Sequence, residues 1–433
     1  MNFIKFLISF IMKKFLFFVL FEYSIFAEFQ NIQDNYDLLY EWGRNNSVFI
    51  SYKIGMNYTN ENTKNYYVNE NIESGEILIS IPKNILLNIN SALKLSGPKI
   101  KKQHESYKKE KFDNNYNIYE VREDRKEYSF LAYLMTISNE KKSKKNKFYQ
   151  FYKYLFNTFE TDLDVFPTFY NSKQIKFLLF SLYGKGVIQT KTMIEEEFGV
   201  LQRNYRPSLD LEEYMKYRLF TINKVFDVSG VNYIIPFIDI FERNPINYNI
   251  KLNYTYNTDI INIIATKDIK PNEKLIMAMD QMPNIKSLIK YGKIYEENKD
   301  FKLDTFRVPL ISNNFIKEKK LDPELSKGKI VDLDEDKYYE EVIPEYKKIA
   351  KMLNKEETKV SALNTFMENL EIIKNGYDRI SVGKLYEYFD KRTQVENIKS
   401  VLDEEKNYLD KKMKELEKII KDLSGYKQSE FDL

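Results

Sequence analysis

The spacing of apolar residues changes character several times along the chain. From about residue 35, NYDLLYEWG places its apolar side chains at helical intervals around Trp42, and EILISIPKNILLN reads as a strand that stops at Pro82. Residues 93–125 are polar and lysine-rich without clear periodicity, which predicts a loop. Helical patterns then hold over about 127–220, in EYSFLAYLMTISNE, KFYQFYKYLFNTF, NSKQIKFLLFSLYGKGVI and LEEYMKYRLFTINKVF. Strand patterns return in NYIIPFIDIF, YNIKLNYTY and DIINIIATKDI, and the turn KPNEK leads into LIMAM. Beyond about residue 300 the chain is charged and helical. In its last long segment, Thr393 to Leu423, the residues Leu409, Met413, Leu416, Ile420 and Leu423 recur at spacings of four and three, one apolar stripe on a helix. Such a stripe packs on its own domain or receives a partner helix. The pattern as a whole predicts an α+β domain over 35–300 and a helical domain over 301–433.

The amino terminus adds a destination. Lys13 and Lys14 precede the apolar run Phe15 to Phe21, and Ala27 stands before a polar change, so residues 1–27 read as a cleavable signal peptide. No later run approaches the roughly 20 apolar residues of a membrane helix, so no stable membrane insertion is expected. The expected location is the secretory pathway, with secretion or a vacuolar lumen as its end; for an AT-rich genome of an intracellular parasite, that lumen is the vacuole around the parasite. The sequons at Asn45, Asn57 and Asn253 predict surface positions. The terminal SEFDL departs too far from Lys-Asp-Glu-Leu to act as a retrieval signal.

Composition removes several chemistries. With 67 basic against 64 acidic side chains among 433 residues, no global field draws the protein to nucleic acid. The absence of cysteine excludes a thiol nucleophile, disulfides and cysteine-ligated zinc. A single histidine, His104, excludes multi-histidine metal sites and argues against a Ser-His-Asp triad. It lies in IKKQHESYKKEK and reads as a solvated loop residue. GKG at Gly184 to Gly186 lacks the context of a phosphate loop, and KKSKKNK at Lys141 to Lys147 has no interleaved aromatics for nucleic-acid stacking.

Taken in order, LLYEWGRNN, NENIESGEILISIPKNILL, KFYQFYKYLFNTFETDLDVFPTFYNSKQIKFL, NKVFDVSGVNYIIPFIDIFERNP and IATKDIKPNEKLIMAMDQMPNIKSLIKYG resemble the SET-domain protein methyltransferases of the Rubisco large-subunit methyltransferase type. The resemblance implies a SET-type β core interrupted by a helical insert, followed by an all-helical domain that holds protein substrates. In that family an Asn-His pair helps hold S-adenosylmethionine, and a tyrosine before a glycine orients the substrate amine. Here the corresponding positions read Glu242, Arg243, Met279 and Asp280, and Lys224 replaces an arginine. Asp239, Asn284, Tyr291 and Gly292 match the family pattern.

The departures carry chemical consequences. Met279 has no hydroxyl. Arg243 adds a permanent charge beside a sulfonium cation, a repulsion of about 3 kcal/mol at about 6 Å and an effective dielectric of about 20, which Glu242 offsets in part. NENTKNYYVNENI has no glycine for close backbone approach to a cofactor. A lumenal methyltransferase would also need a cofactor made in the cytosol. The reading that follows is a catalytically inactive SET-like protein with no cofactor and no metal, binding other proteins through its helical C-terminal domain, in a role such as protein handling or export. The stripe from Leu409 to Leu423 is the candidate surface for that binding. The alternative is an active, divergent protein-lysine N-methyltransferase using S-adenosylmethionine.

Overall fold

The computed structural model describes residues 37–58, 64–112, 125–141, 145–157, 163–179, 181–228, 230–238, 241–254, 259–295, 307–322, 325, 330–333 and 338–429. The expected signal segment, 1–27, lies outside them. The described chain forms two compact units. One is built from residues 37–111, 125–157 and 200–279, the other from 163–199 and 280–429.

Among the described residues the first unit holds ten strands: β1 (Phe49–Ile50), β2 (Ile54–Tyr58), β3 (Lys64–Val68), β4 (Ile77–Pro82), β5 (Val225–Val228), β6 (Val231–Ile234), β7 (Glu242–Asn244), β8 (Ile250–Tyr254), β9 (Ile260–Ala265) and β10 (Ile276–Ala278). Six of them form a sheet in the order β1-β4-β9-β8-β10-β7, while β2–β3 and β5–β6 are hairpins. Alternation explains the face choice. In β9, Ile261, Ile263 and Ala265 are buried and the residues between them less so, the period of a strand with one face on a core. The sheet is antiparallel from β1 through β8, and then β10 runs parallel to both β8 and β7.

That change of direction rests on Asn249. The pairing of β10 with β8 is a single step, Met277 with Ile250. Buried Asn249 extends it: its Oδ1 accepts from the Ile276 N–H at 2.7 Å and its Nδ2 donates to the Lys274 carbonyl at 2.7 Å. The side chain supplies the ladder bonds that a longer strand would have made with its backbone.

Helices Ile89–Leu95, Pro98–Tyr107, Arg125–Glu140, Lys147–Asn157 and Leu211–Lys224 complete this unit. The run Phe130 to Met135 is buried without interruption, so Arg125–Glu140 is a central helix rather than a surface one.

Helix Pro98–Tyr107 corrects the expectation of a loop over 93–125, of which 113–124 lie outside the described residues. Its inward stripe is Ile100, His104 and Tyr107, helical spacing disguised by a histidine and a tyrosine among lysines. His104 is not solvated. It is 2% exposed, its ring 4.9 Å from that of Phe130, and among the described residues neither ring nitrogen has a hydrogen-bond partner. Tyr107 beside it shares a hydrogen bond with Ser129 at 2.7 Å.

Burial lowers the His104 pKa, assisted by Lys108 and opposed by Glu105. Above the ordinary histidine range the ring is neutral in both states and contributes no pH dependence. As pH falls through about 6.5, the unfolded chain takes up a proton that the folded chain refuses, so stability falls. Denaturant melts at pH 7.5 and 5.0 should show a loss of at most about 1.4 kcal/mol per pH unit, and His104→Gln should flatten that slope. Because the chain has one histidine, the part of that window above the carboxylate range belongs to it.

The second unit contains the pair β11 (Arg307–Pro309) and β12 (Ile330–Asp332), antiparallel, and helices Ser172–Leu178, Leu182–Asn204 as far as Gly199, Asn284–Tyr291, Asn313–Lys319, Tyr338–Met352, Lys359–Asp378, Val382–Tyr386 and Arg392–Ser429. Residues 163–199, read from the sequence as part of the helical insert of the first domain, contribute Tyr170, Leu178, Tyr183 and Val187 to the same core as Phe366, Leu402 and Leu416. Gly184 opens its helix where a Cβ would lie 2.0 Å from the Leu178 carbonyl oxygen, so GKG is a close-packed helix start.

The terminal stripe is settled here as well. Leu409, Met413 and Leu416 are buried in this core, and Ile420 and Leu423 pack half-buried against it. The partner surface expected at these five residues is therefore replaced by an internal packing face: an apolar stripe of this width has its own helices to cover it.

Candidate functional site

The positions singled out in the sequence fall on both units. Glu242, Arg243 and Met279 belong to the first, and Asp280, Asn284, Tyr291 and Gly292 to the second. Asp239 lies outside the described residues.

In the first unit, β7 carries Glu242 and Arg243 along the edge of the sheet, opposite Ile276 and Met277 of β10. Glu242 faces Lys274 at 3.8 Å, an exposed pair of little energetic weight. The Arg243 guanidinium lies 4.3 Å from the Phe226 ring centroid, and its Nη1 donates to the Asn223 carbonyl at 3.0 Å. Asn223 is in the last turn of helix Leu211–Lys224, so the cation sits where the helix dipole is negative and unsatisfied carbonyls gather. Lys224, the final residue of that helix, adds a second positive charge at the same end. Each contact is worth about 1 kcal/mol, and together they bind the Arg243 side chain to β5 and the helix before it.

The chain leading into β7 is tightly held. Phe237, fully buried, adopts φ 71°, a conformation costing a non-glycine residue about 1 to 2 kcal/mol. Gly43 makes room for it, since a Cβ there would lie 2.5 Å from the Phe237 ring.

The β2–β3 hairpin adds the other wall. Tyr66 is fully buried with its ring 4.6 Å from that of Phe241, the residue before Glu242. Its carbonyl accepts from the Leu275 N–H at 3.1 Å, and the Val68 N–H donates to Glu273 at 3.2 Å, which ties the hairpin to the segment entering β10. Met279 follows β10, half-buried, and Asp280 is exposed. The role of Tyr66 was not visible in the sequence beyond the lack of glycine around it.

In the second unit the family-like positions have structural partners. Asn284 is buried; its Nδ2 donates to Glu404 Oε1 at 2.7 Å and its Oδ1 accepts from the Tyr295 N–H at 3.1 Å. Gly292 ends helix Asn284–Tyr291 at φ 66°, and a Cβ would press on Val165 at 3.0 Å. Tyr291 is half-buried, with Lys290 Nζ 5.2 Å from its ring centroid.

A cleft of about 190 Å³ in the first unit, lined by Asn88, Glu127, Tyr128, Val225, Val231 and Asn232 among others, includes none of these positions. Among the described residues, no group of three or more His, Asp or Glu is placed to hold a metal ion, and no helix is long and apolar enough to cross a membrane.

The sequence matches no family model and no curated protein. The fold matches solved structures. The SET domain of LSMT bound to lysine and AdoHcy aligns with a TM-score of 0.56 at 12% identity, covering 89% of this chain and 93% of that one. Rubisco LSMT bound to AdoMet aligns at 0.55 and 12% identity, covering 88% and 93%, and the complex with sinefungin and monomethyllysine at 0.54 and 13% identity, with the same coverage. At that identity the likeness shows the fold, an α+β SET-domain methyltransferase fold over nearly the whole chain.

Proposed function

We infer, from a chain that carries the SET-domain methyltransferase fold, that it has exchanged methyl transfer for protein binding in a secretory or vacuolar compartment. The observation that carries this reading is the state of Arg243. In the solved relatives of the fold the complexes contain AdoMet, AdoHcy or sinefungin. AdoMet carries a sulfonium cation, and the matching residues here are a poor donor set for it. Arg243 is a permanent cation held to Phe226 and Asn223, Glu242 faces Lys274, Met279 offers no hydroxyl, and Tyr66 is a bulky side chain packed on Phe241. The scaffold residues Asn284 and Gly292 are kept by hydrogen bonding and backbone geometry, which require no cofactor. Partner proteins are then held by a surface of the second unit other than the buried stripe.

Titration calorimetry of the full chain with S-adenosylmethionine and S-adenosylhomocysteine tests this. The expected outcome is no saturable heat up to millimolar ligand, weaker than about −4 kcal/mol. A micromolar dissociation constant, about −8 kcal/mol, would overturn the proposal in favour of an active, divergent protein-lysine N-methyltransferase. That second reading draws on the LSMT complexes with lysine and its methylated form.

A further inference from the structure

Acids answer many of the lysines on the described surface. Lys53 pairs with Glu76 at 2.8 Å, Lys319 and Lys355 share Glu368, Lys374 meets Asp410, and Lys406 meets Asp378. One stretch breaks the habit. Lys94, Lys99, Lys101, Lys102, Lys108, Lys109 and Lys111 are all exposed, against Glu105 and Glu110. Among the described residues only Lys108 reaches an acid, Glu105 at 3.4 Å, and Glu110 accepts from Asn204 Nδ2 at 3.0 Å. In a chain of 67 basic and 64 acidic residues this is a local excess.

The placement costs the helix stability. Helix Pro98–Tyr107 has no acid in its first turn. Lys99, Lys101 and Lys102 stand instead near its positive end, and Lys99 and Lys102 face each other at i, i+3. The opposite face holds the element in place. His104 and Tyr107 are buried against Phe130, and Lys126 Nζ donates to the Lys108 and Glu110 carbonyls at 2.7 and 2.6 Å. Charge that, Lys108 apart, no described acid neutralises, on a firmly anchored helix and arranged against the helix's own interest, points to something outside the described fold.

We propose that this face docks an acidic protein segment, an extended stretch rich in Asp and Glu. The helix is about 15 Å long, the reach of about five extended residues. Every cation from 94 to 111 is a lysine, a flexible point charge without the planar fork that reads phosphate. The aromatic on the helix, Tyr107, is turned inward, so no base could stack. Its other apolar residue, Ile100, is half-buried, which leaves nothing to insert into a lipid surface. The proposal does not depend on whether the protein binds a cofactor.

The test uses the full chain and a fluorescent dodecapeptide of alternating Glu and Gly. Anisotropy at 50 mM salt should show saturable binding that weakens at least about tenfold at 200 mM. The combined variant Lys99→Glu, Lys101→Glu and Lys102→Glu should bind at least about tenfold less tightly while its melting temperature holds or rises, since acids suit the helix start. Should that variant melt early, the pair Lys101→Gln and Lys102→Gln replaces it, with a loss of at least about threefold expected. Unchanged peptide affinity in the folded variants overturns the proposal. So does tighter binding of phosphatidylserine vesicles or of a twelve-nucleotide oligo-dT in the same assay.

Discussion

Leu416→Asp should cost the second unit about 4 to 5 kcal/mol. Leu416 is fully buried on helix Arg392–Ser429, in the core that also takes in residues of the helices Leu182–Asn204 and Lys359–Asp378. The substitution removes a full leucine from that core and places there a carboxylate with no partner or, once it is protonated, a carboxyl group without hydrogen bonds. Hydrogen exchange followed by mass spectrometry should show lost protection in peptides from 163–199 and 338–429 together, with the strands of the first unit unchanged. Ile420→Asp, one turn further along where the side chain is half-buried, should cost less than half as much. Equal protection in wild type and Leu416→Asp would mean that the stripe faces outward after all.

Glu405→Ala should be nearly as damaging, for a different reason. Glu405 is a fully buried carboxylate on the last helix. One oxygen accepts from the Tyr183 backbone N–H at 2.8 Å and the other from the Tyr377 hydroxyl at 2.5 Å, while the Tyr183 hydroxyl lies 3.1 Å from that of Tyr170. Tyr183 is in the first turn of its helix, so Glu405 caps an N-terminus from across the core. Removing it strands two buried donors at about 1 to 3 kcal/mol each and opens a void, for a loss of about 3 to 5 kcal/mol. Tyr377→Phe, which removes one donor and leaves the carboxylate its backbone contact, should lose about 1 to 2 kcal/mol. Chemical denaturation of both variants measures the difference.

Local periodicity carried much of the architecture. The alternation in β4 and β9, the continuous apolar character of Arg125–Glu140 and the long terminal helix were all legible, because each depends on residues close in sequence. The order of short motifs was enough to indicate the SET fold at an identity too low for a family match. What stayed hidden depends on distant residues. The parallel pairing of β8 with β10 is extended by Asn249, whose two side-chain hydrogen bonds have no sequence signature. Helix Pro98–Tyr107 was missed because its inward face includes His104, a residue read as polar. The helices of 163–199 were visible, but periodicity does not say which core a helix joins. At the candidate site the substitutions at Glu242, Arg243 and Met279 could be read directly. The contacts of Arg243 with the Phe226 ring and of Tyr66 with Phe241 could not.

The division of the chain has a consequence for its birth on the ribosome. Tyr170, Tyr183 and Val187 are synthesised early, yet the core they join extends to Leu416, and residues 200–279, which carry strands β5 to β10 of the first unit, emerge in between. At roughly 5 to 20 residues per second, these apolar groups wait on the order of ten to fifty seconds for their partners. The first unit also waits, β4 for its partner β9, but its last strand leaves the ribosome well before the terminal helix is made. The order of synthesis therefore leaves the apolar residues of 163–199 without the later part of their core until the terminal helix is made. A truncation near residue 300 would make that lack permanent.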